Sequence, residues 1–313
     1  MNGLELSRAF FEECGRPMLE ESFPSLLPYL AAGLCGSGSE CFGYDDALSR
    51  DHDFEPGFLL FLPGEDVVSR RDEFLLERAY AKLPKSFRGL ERAAVNPVGG
   101  ARHGVMRTAE YFQKKVGAPD GRLDIAQWLA VPEQALAEAT NGEMYFDRYG
   151  EVTSVRERLR CFPEDVRFKR LAGHLLLMAQ SGLYNYPRCL GHGETGAAQL
   201  AAGEFVRSAM SAAFLLKRRY QPFYKWAFRA LRELDGLGDL ADDLEWLLST
   251  GNDAALSREK AARIEYSAAT IAAECARQGL VTAPGPELEP LAYQVNARIR
   301  DPELRNRHIL AAV

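Results

Sequence analysis

The stretch that decides the fold runs from residue 36 to residue 61 and reads GSGSECFGYDDALSRDHDFEPGFLLF. It follows one apolar run, residues 29–35, and ends in a second, residues 58–62, which Pro-Gly pairs bound on both sides. Short apolar runs that end at glycine-rich turns are typical of buried strands. The sequence therefore predicts two core strands, with a tight loop directly after the first.

Two aspartates in this stretch, Asp51 and Asp53, stand one residue apart shortly before the second strand. On an extended chain, side chains at positions i and i+2 leave from the same face, so the two carboxylates converge. Carboxylate oxygens are ligands that Mg²⁺ prefers, and two such ions can hold a triphosphate and lower the pKa of an attacking hydroxyl. The spacing predicts that Asp51 and Asp53 are metal ligands and catalytic residues.

The glycine-serine turn that precedes them predicts a phosphate-binding loop. Glycine lets the backbone approach a ligand closely, and backbone amides with a hydroxyl can cradle phosphate oxygens. A D-x-D pair or a Gly-Ser turn alone occurs in many solvated loops. The order strand, Gly-Ser, glycine, D-x-D, strand is far more specific, and it makes Gly38 and Ser39 the predicted nucleotide-binding residues.

This order resembles the signature of the nucleotidyltransferase superfamily that includes DNA polymerase beta and kanamycin nucleotidyltransferase. Five residues match positions of that signature, namely the Gly-Ser pair Gly38 and Ser39, the following glycine Gly43, and the two metal ligands Asp51 and Asp53. With LRCFPEDV at 159–166 and RYQPFYKW at 219–226, the stretch is also similar to an uncharacterised bacterial family of nucleotidyltransferase-like proteins.

The resemblance implies a reaction and its cofactors. A nucleoside monophosphate would pass from a nucleoside triphosphate (NTP), with ATP the first candidate, to an acceptor hydroxyl, and pyrophosphate would be released. Two Mg²⁺ ions would assist, and positioning with charge neutralisation would supply most of the rate. The acceptor, a small molecule or a protein, depends on the shape of a pocket that one sequence does not define.

The resemblance also implies a third carboxylate on the next core strand, as metal ligand or as base. Residues 122–129 alternate well enough to predict a third strand, and Asp124 interrupts it. A carboxylate in such a setting needs a partner or a metal to offset its desolvation, so Asp124 is the best match. Glu143 and Asp147, on a predicted hairpin of residues 143–147 and 151–154, remain alternatives.

The two halves of the chain differ, because strand signals nearly vanish after residue 153. The predicted fold class is α+β, with a nucleotidyltransferase-type mixed sheet flanked by helices in residues 1–153 and an all-α helical bundle in residues 154–313. Apolar residues at helical spacing predict the helices. In the first domain these are 4–14, 72–82, 105–116 and 133–140. In the second they are 156–159, 165–181, 197–219, 223–234, 237–249, 257–278 and 286–300.

Lys225 is the residue of the helical half that the resemblance connects to the site. In two-domain relatives such as the kanamycin enzyme, the active site lies between the domains. Lys225 stands among the aromatic residues of 218–226, and a lysine in that setting is hard to explain as part of a bundle core. It is predicted to neutralise charge on the bound triphosphate.

The composition of the chain limits the classes of binding partner and the cellular compartment that we expect. A formal charge of −6 and a pI near 5.6 argue against a protein that holds long nucleic acid by counterion release. The six cysteines include no C-x-x-C pair, which predicts reduced thiols. The longest apolar runs fall short of the roughly 20 residues of a membrane span, and no basic n-region precedes an apolar core at the N-terminus. We expect a cytoplasmic protein without a membrane partner.

Two other functions fit the same sequence. The scaffold could belong to a catalytically silent protein that binds nucleotide for regulation. It could also belong to a toxin–antitoxin component that nucleotidylates a partner protein. Pyrophosphate release separates the first from an enzyme, and a labelled protein band after incubation with labelled ATP in lysate identifies the second.

Overall fold

The computed structural model describes residues 1–46, 55–92, 103–282 and 287–313. The chain divides into two compact units: unit 1 contains Met1–Leu123 and Ala135–Arg160, and unit 2 contains Asp124–Gln134 and Cys161–Val313. Unit 1 holds a mixed sheet with helices, and the elements described in unit 2 are helical, so the protein has an α+β fold. The predicted fold class is confirmed.

The described residues of unit 1 form a four-stranded sheet with the strand order β5-β2-β1-β6. Its strands are β1 Ala31–Leu34, β2 Leu59–Leu62, β5 Gly104–Arg107 and β6 Glu143–Asp147. β1 is antiparallel to both β2 and β6, and β2 is parallel to β5. A separate short hairpin joins β3 Ser86–Phe87 and β4 Leu90–Glu91. The two strands predicted around the 36–61 stretch are thus confirmed.

Position in the sheet explains the composition of the strands. β1 and β2 occupy the centre and are buried along their whole length, so they read as continuous apolar runs without alternation. β5 and β6 lie at the edges of the sheet and are half-buried, and their sequences are correspondingly mixed.

The helices of unit 1 begin at residues with capping side chains in several cases. Asn2 and Glu5 form a reciprocal capping box at the start of the first helix, and Ser69 caps the third. The helices are α1 Gly3–Phe10, α2 Arg16–Ser22, α3 Arg70–Ala81, α4 Thr108–Val116, the larger part of α6 Glu133–Thr140, and α7 Glu151–Arg158. The predicted domain boundary between residues 153 and 154 falls inside α7.

A π-helical segment, Phe11–Gly15, joins α1 to α2. A Cβ atom at Gly15 would lie 2.5 Å from Cζ of Phe58, so only glycine admits this ring. Phe58 is fully buried and lies in the core with Phe10 and Phe11. The π-helical segment therefore packs against Phe58, the residue directly before β2, and holds the helices that it joins next to the sheet.

Three local predictions for residues 1–153 are wrong. Residues 104–107 form β5 before α4 begins, because a short apolar run fits a strand and a helix equally well. Residues 122–129 are not a strand, since Asp124 caps helix α5 Ile125–Ala130. Residues 151–154 are not the second arm of a hairpin, since the left-handed Gly150 ends the turn after β6 and α7 follows.

Unit 2 confirms the predicted all-helical second domain. The long helix α10 is buried over much of its length and packs on α8. The helices are α5, the start of α6, α8 Glu164–Met178, α9 Tyr186–Gly191, α10 Thr195–Leu216, α11 Tyr224–Arg232, α12 Leu240–Ser249, α13 Leu256–Arg277, α14 Leu288–Ala297 and α15 Pro302–Asn306. In the described ranges, no helix combines the length and the apolar character that crossing a membrane requires.

Candidate functional site

One edge of the sheet of unit 1 collects the segments that the sequence singled out. β1 ends at Leu34, opposite Glu143 at the start of β6, and Gly33 lies opposite Leu59 at the start of β2. Because both neighbours are antiparallel to β1, the C-terminal end of β1 lies beside the N-terminal ends of β2 and β6. We call this side of the sheet, formed by the ends of three strands, the site edge. The chain leaves the site edge into residues 36–39 (the 36–39 turn) and returns to it through residues 55–58.

The 36–39 turn is held by the two residues that precede β6. The backbone N–H of Gly36 donates to Asn141 Oδ1 at 2.9 Å, and Asn141 Nδ2 donates back to the Gly36 carbonyl at 2.8 Å. The N–H of Gly142 donates to the carbonyl of Cys41 at 2.8 Å. Gly36 itself has a φ of +127°, which favours glycine. Asn141 and Gly142 therefore hold the 36–39 turn on both sides, at Gly36 and at Cys41. We call these hydrogen bonds the clamp.

The amides inside the 36–39 turn face no protein acceptor in the part of the chain that the structure describes. This holds for the N–H groups of Ser37, Gly38 and Ser39. Ser39 precedes the single 3₁₀ turn Glu40–Phe42, which ends at the left-handed Gly43. Successive amides that point to one side of a loop can bind an anion, and in the described part of the chain these three N–H groups are free donors at the predicted phosphate-binding turn.

Helix α1 fixes both approaches to the segment that carries the two aspartates. The N–H of Gly3 donates to Asp45 Oδ2 at 2.8 Å, and Ser7 Oγ donates to the carbonyl of Gly57 at 2.5 Å. Asp45 and Gly57 lie on either side of residues 47–54. Asp51 and Asp53 belong to that segment and lie outside the described residues.

Glu143 is the described carboxylate at the start of β6. Its side chain forms a two-pronged ion pair with the guanidinium of Arg8, which also lies 5.2 Å from the ring centroid of Tyr145. Both side chains of the pair are a little under half exposed. An exposed ion pair of this kind contributes only about 0–1 kcal/mol, so a ligand can displace it.

Asp147 lies at the opposite end of β6, since its strand partner is Ala31, the first residue of β1. Its carboxylate accepts hydrogen bonds from the N–H groups of Gly150 and Thr153, at 2.8 and 2.7 Å. The side chain therefore closes the turn into α7, and it lies away from the site edge.

Asp124 is the N-cap of α5 in unit 2, and its predicted place on a core strand is wrong. Its Oδ1 accepts from the N–H of Gln127 at 2.8 Å, and Gln127 Oε1 accepts from the N–H of Asp124 at 2.9 Å. The side chain is exposed, so desolvation does not require a metal partner. The burial of Asp124 therefore gives no reason to assign it as a metal ligand or a base.

Lys225 lies in the first turn of α11 in unit 2 and is exposed. Its Nζ is 4.9 Å from the ring centroid of Trp226, a cation–π contact within one helix. This contact gives a structural reason for the aromatic residue that follows Lys225 in the sequence. Its predicted role in nucleotide binding stays a prediction.

Within the described ranges, no three His, Cys, Asp or Glu side chains are grouped closely enough to hold a metal ion. The predicted metal site therefore depends on Asp51 and Asp53. Carboxylate oxygens are the donors that Mg²⁺ prefers, and Glu143 offers the same donor type at the site edge. The donor set fits the predicted ion.

Comparison with known proteins adds one match. A protein-family model described as a domain of unknown function (DUF4037) matches residues 128–227. The match begins in α5 and ends in α11, and it includes β6. No curated protein and no solved structure matches the chain.

Replacing Asn141 by alanine is the direct test of the clamp. Asn141→Ala removes both hydrogen bonds to Gly36 and leaves two backbone groups unpaired, so we expect a loss of about 1–3 kcal/mol in stability and weaker ATP binding. Thermal unfolding and calorimetric titration measure the two effects. The exposed Asn306→Ala is the matched control, and equal behaviour of both variants would contradict a positioning role for Asn141.

Proposed function

We propose that the protein is an Mg²⁺-dependent nucleotidyltransferase, which moves a nucleoside monophosphate from an NTP, ATP first, to an acceptor hydroxyl. The observation that carries the proposal is the convergence at the site edge. The 36–39 turn, both approaches to the D-x-D segment and the carboxylate of Glu143 meet where three strands of one sheet begin or end.

Each group has a distinct task in this reaction. The amides of the 36–39 turn hold phosphate oxygens of the NTP. Asp51 and Asp53 would hold Mg²⁺, which would neutralise negative charge on the triphosphate. The acceptor oxygen forms a bond to the α-phosphorus, the bond from that phosphorus to the bridging oxygen breaks, and pyrophosphate leaves with the electron pair. The proton of the acceptor hydroxyl passes to a carboxylate at the site edge.

We assign that carboxylate to Glu143, in place of Asp124. Glu143 stands on the strand that pairs with β1, directly opposite the residue from which the 36–39 turn departs. Asp147 lies at the other end of the same strand, and Asp124 is not on the sheet. On binding of substrate, release from the ion pair with Arg8 frees the carboxylate and leaves a guanidinium beside the phosphates, where positive charge is favourable.

The assignment makes a prediction about three substitutions, each of which replaces a carboxylate by the amide of the same shape. Glu143→Gln is expected to lower turnover by about 100-fold or more, the usual contribution of a positioned base. Asp124→Asn and Asp147→Asn should keep turnover near that of the wild type, because Asp124 caps helix α5 and Asp147 lies at the other end of β6. Pyrophosphate release is the measurement. A large loss in Asp124→Asn with none in Glu143→Gln restores the assignment from sequence.

A nucleotide-binding protein without turnover is the second candidate. The ion pair of Arg8 with Glu143 favours it, because both carboxylate oxygens of Glu143 are engaged by the guanidinium and neither is free to take the proton of an acceptor hydroxyl. Mg²⁺-dependent binding of ATP without pyrophosphate release, in the wild type and in Arg8→Ala alike, would select this candidate.

A further inference from the structure

Unit 2 contains a pocket of about 570 Å³ that the proposed reaction does not use. This volume lies within the range of small-molecule binding sites. The connection between α5 and α6 forms one wall, and α8 and α10 form others. The lining is completed by Gln221, Pro222, Tyr224 and residues 311–313. Both arginines and the histidine of the lining lie on the α8 and α10 walls.

Arg170 of α8 lines this pocket with donors that remain unused. The side chain is almost fully buried, and its Nη2 donates to the carbonyls of Trp128, Leu129 and Val131. Neither Nε nor Nη1 has an acceptor among the described residues, and of the two only Nε is completely buried. A buried cation with unpaired N–H groups lowers the stability of the fold, and an acceptor oxygen of a bound ligand would remove that cost.

His174 lies one helical turn after Arg170 and lines the same pocket. Its Nδ1 is completely buried without a partner among the described residues, so Nε2 is the ring nitrogen that remains for a ligand in the pocket. Burial, with a smaller effect of the Arg170 charge, lowers the pKa of His174 to about 3, so the ring is neutral at pH 7. A neutral imidazole offers one N–H donor, and it adds no charge that would oppose Arg170.

The rest of the lining adds charged groups. Arg207 of α10 is exposed at the pocket and brings a second guanidinium, which lies 3.7 Å from the carboxylate of Glu204 in an exposed ion pair. Glu133 is the opposing carboxyl: its Oε1 accepts from the N–H of Gln221 at 2.8 Å, and burial raises its pKa to about 7. Ser211 Oγ donates to Gln221 Oε1 at 2.8 Å and holds that side chain in place. The side chains that line the pocket therefore include two guanidinium groups and one carboxyl group.

We propose that this pocket binds a small molecule through an anionic oxygen group, a carboxylate or a phosphate. The group accepts hydrogen bonds from Arg170 Nη1 and from the ring of His174, and Arg207 adds attraction at the mouth. The exposed ring of Tyr224 and the apolar side chains of the α5–α6 connection provide a surface for the remainder of the ligand. This site does not depend on the proposed nucleotidyl transfer.

Histidine-selective ¹⁵N labelling provides a local readout, because the chain has only five histidines. The ring signals are followed while inorganic phosphate or acetate is added against chloride at equal ionic strength. His174→Gln identifies the signal of His174. We expect that signal to move on addition of phosphate, of acetate, or of both, and the more effective anion identifies the group that the pocket prefers.

Substitutions then test which cations bind the anion. Arg170→Lys keeps the charge but loses the planar fork, and it should weaken binding about tenfold. Arg207→Ala should weaken binding about threefold, as expected for an exposed charge. The exposed Arg188→Ala, outside the pocket, should leave the affinity unchanged. If Arg170→Lys does not fold, the comparison of Arg207→Ala with Arg188→Ala decides.

Two outcomes would overturn the proposal. In one, the His174 signal stays in place with both anions. In the other, the signal moves equally in the wild type, Arg207→Ala and Arg170→Lys. The same titration of Asp51→Asn should give the wild-type affinity, so failure of the proposed reaction and failure of this site are separate results.

Discussion

Asp51→Asn and Asp53→Asn should each lower the rate of pyrophosphate release from ATP and Mg²⁺ by at least about 1,000-fold. Asparagine has nearly the shape of aspartate, but it carries no charge and is a weaker ligand for Mg²⁺. A catalytic metal contributes several kcal/mol of stabilisation to the transition state, and each 1.36 kcal/mol corresponds to a factor of ten in rate. This is the largest effect on activity that the proposed function predicts.

The assay uses ATP labelled at the γ-phosphate, which leaves as part of pyrophosphate, with a small-molecule extract as the source of acceptor. Asp45→Asn is the matched control from the same loop, because the new amide side chain keeps an oxygen that can accept from the N–H of Gly3. Its turnover should stay close to the wild-type value. Substantial turnover in both Asp51→Asn and Asp53→Asn would exclude the metal assignment, provided that the wild type is active.

Gly142→Ala should cause the largest loss of stability, about 3–5 kcal/mol. A Cβ atom at residue 142 would lie 2.0 Å from the carbonyl oxygen of Leu34 and 2.9 Å from Cα of Cys35. Both atoms belong to the backbone at the end of β1, so relief requires the strand itself to move. The φ of +67° adds strain for any residue with a side chain.

Gly150→Ala separates steric conflict from backbone strain. Gly150 has a φ of +77°, but nothing lies within 4 Å of the position of its Cβ atom. We expect it to lose only about 1 kcal/mol, the cost of the left-handed conformation. Thermal unfolding, with amide hydrogen exchange to resolve the two units, measures both variants. Equal losses in Gly142→Ala and Gly150→Ala would show that the contact with Leu34 does not matter.

The central strands could be predicted from sequence because of where they lie. A strand buried on both faces has no polar alternation, and residues 31–34 and 59–62 form short apolar runs bounded by glycine and proline. The long helices of unit 2 were equally accessible, since apolar spacing persists over many turns. Agreement of a local pattern with its tertiary setting is what made these predictions succeed.

The failures arose where two local patterns competed. Residues 122–129 alternate like a strand, yet Asp124 and Gln127 also have the spacing of a capping box, and the cap prevails in the structure. Residues 104–107 are too short for periodicity to distinguish a strand from the first turn of α4. The first error mattered for the predicted site, because it led to the choice of Asp124 as the third carboxylate.

The site itself could be predicted only in its local parts. The 36–39 turn and the D-x-D pair are contiguous patterns, and they were visible at once. The clamp by Asn141 joins residues 105 positions apart, and an Asn-Gly pair signals a turn without naming its partner. The place of Glu143 depends on the pairing of β6 with β1, which is equally remote in sequence.

Calorimetric titration of ATP, with and without Mg²⁺, tests the central claim most directly. It needs no knowledge of the acceptor, and it separates metal-dependent nucleotide binding from every later step. The account predicts Mg²⁺-dependent binding to the wild type, and a loss of at least about tenfold in affinity when Asp51→Asn and Asp53→Asn are combined. Binding that is absent from the wild type with ATP and with GTP, or that is unchanged in the combined variant, would contradict it.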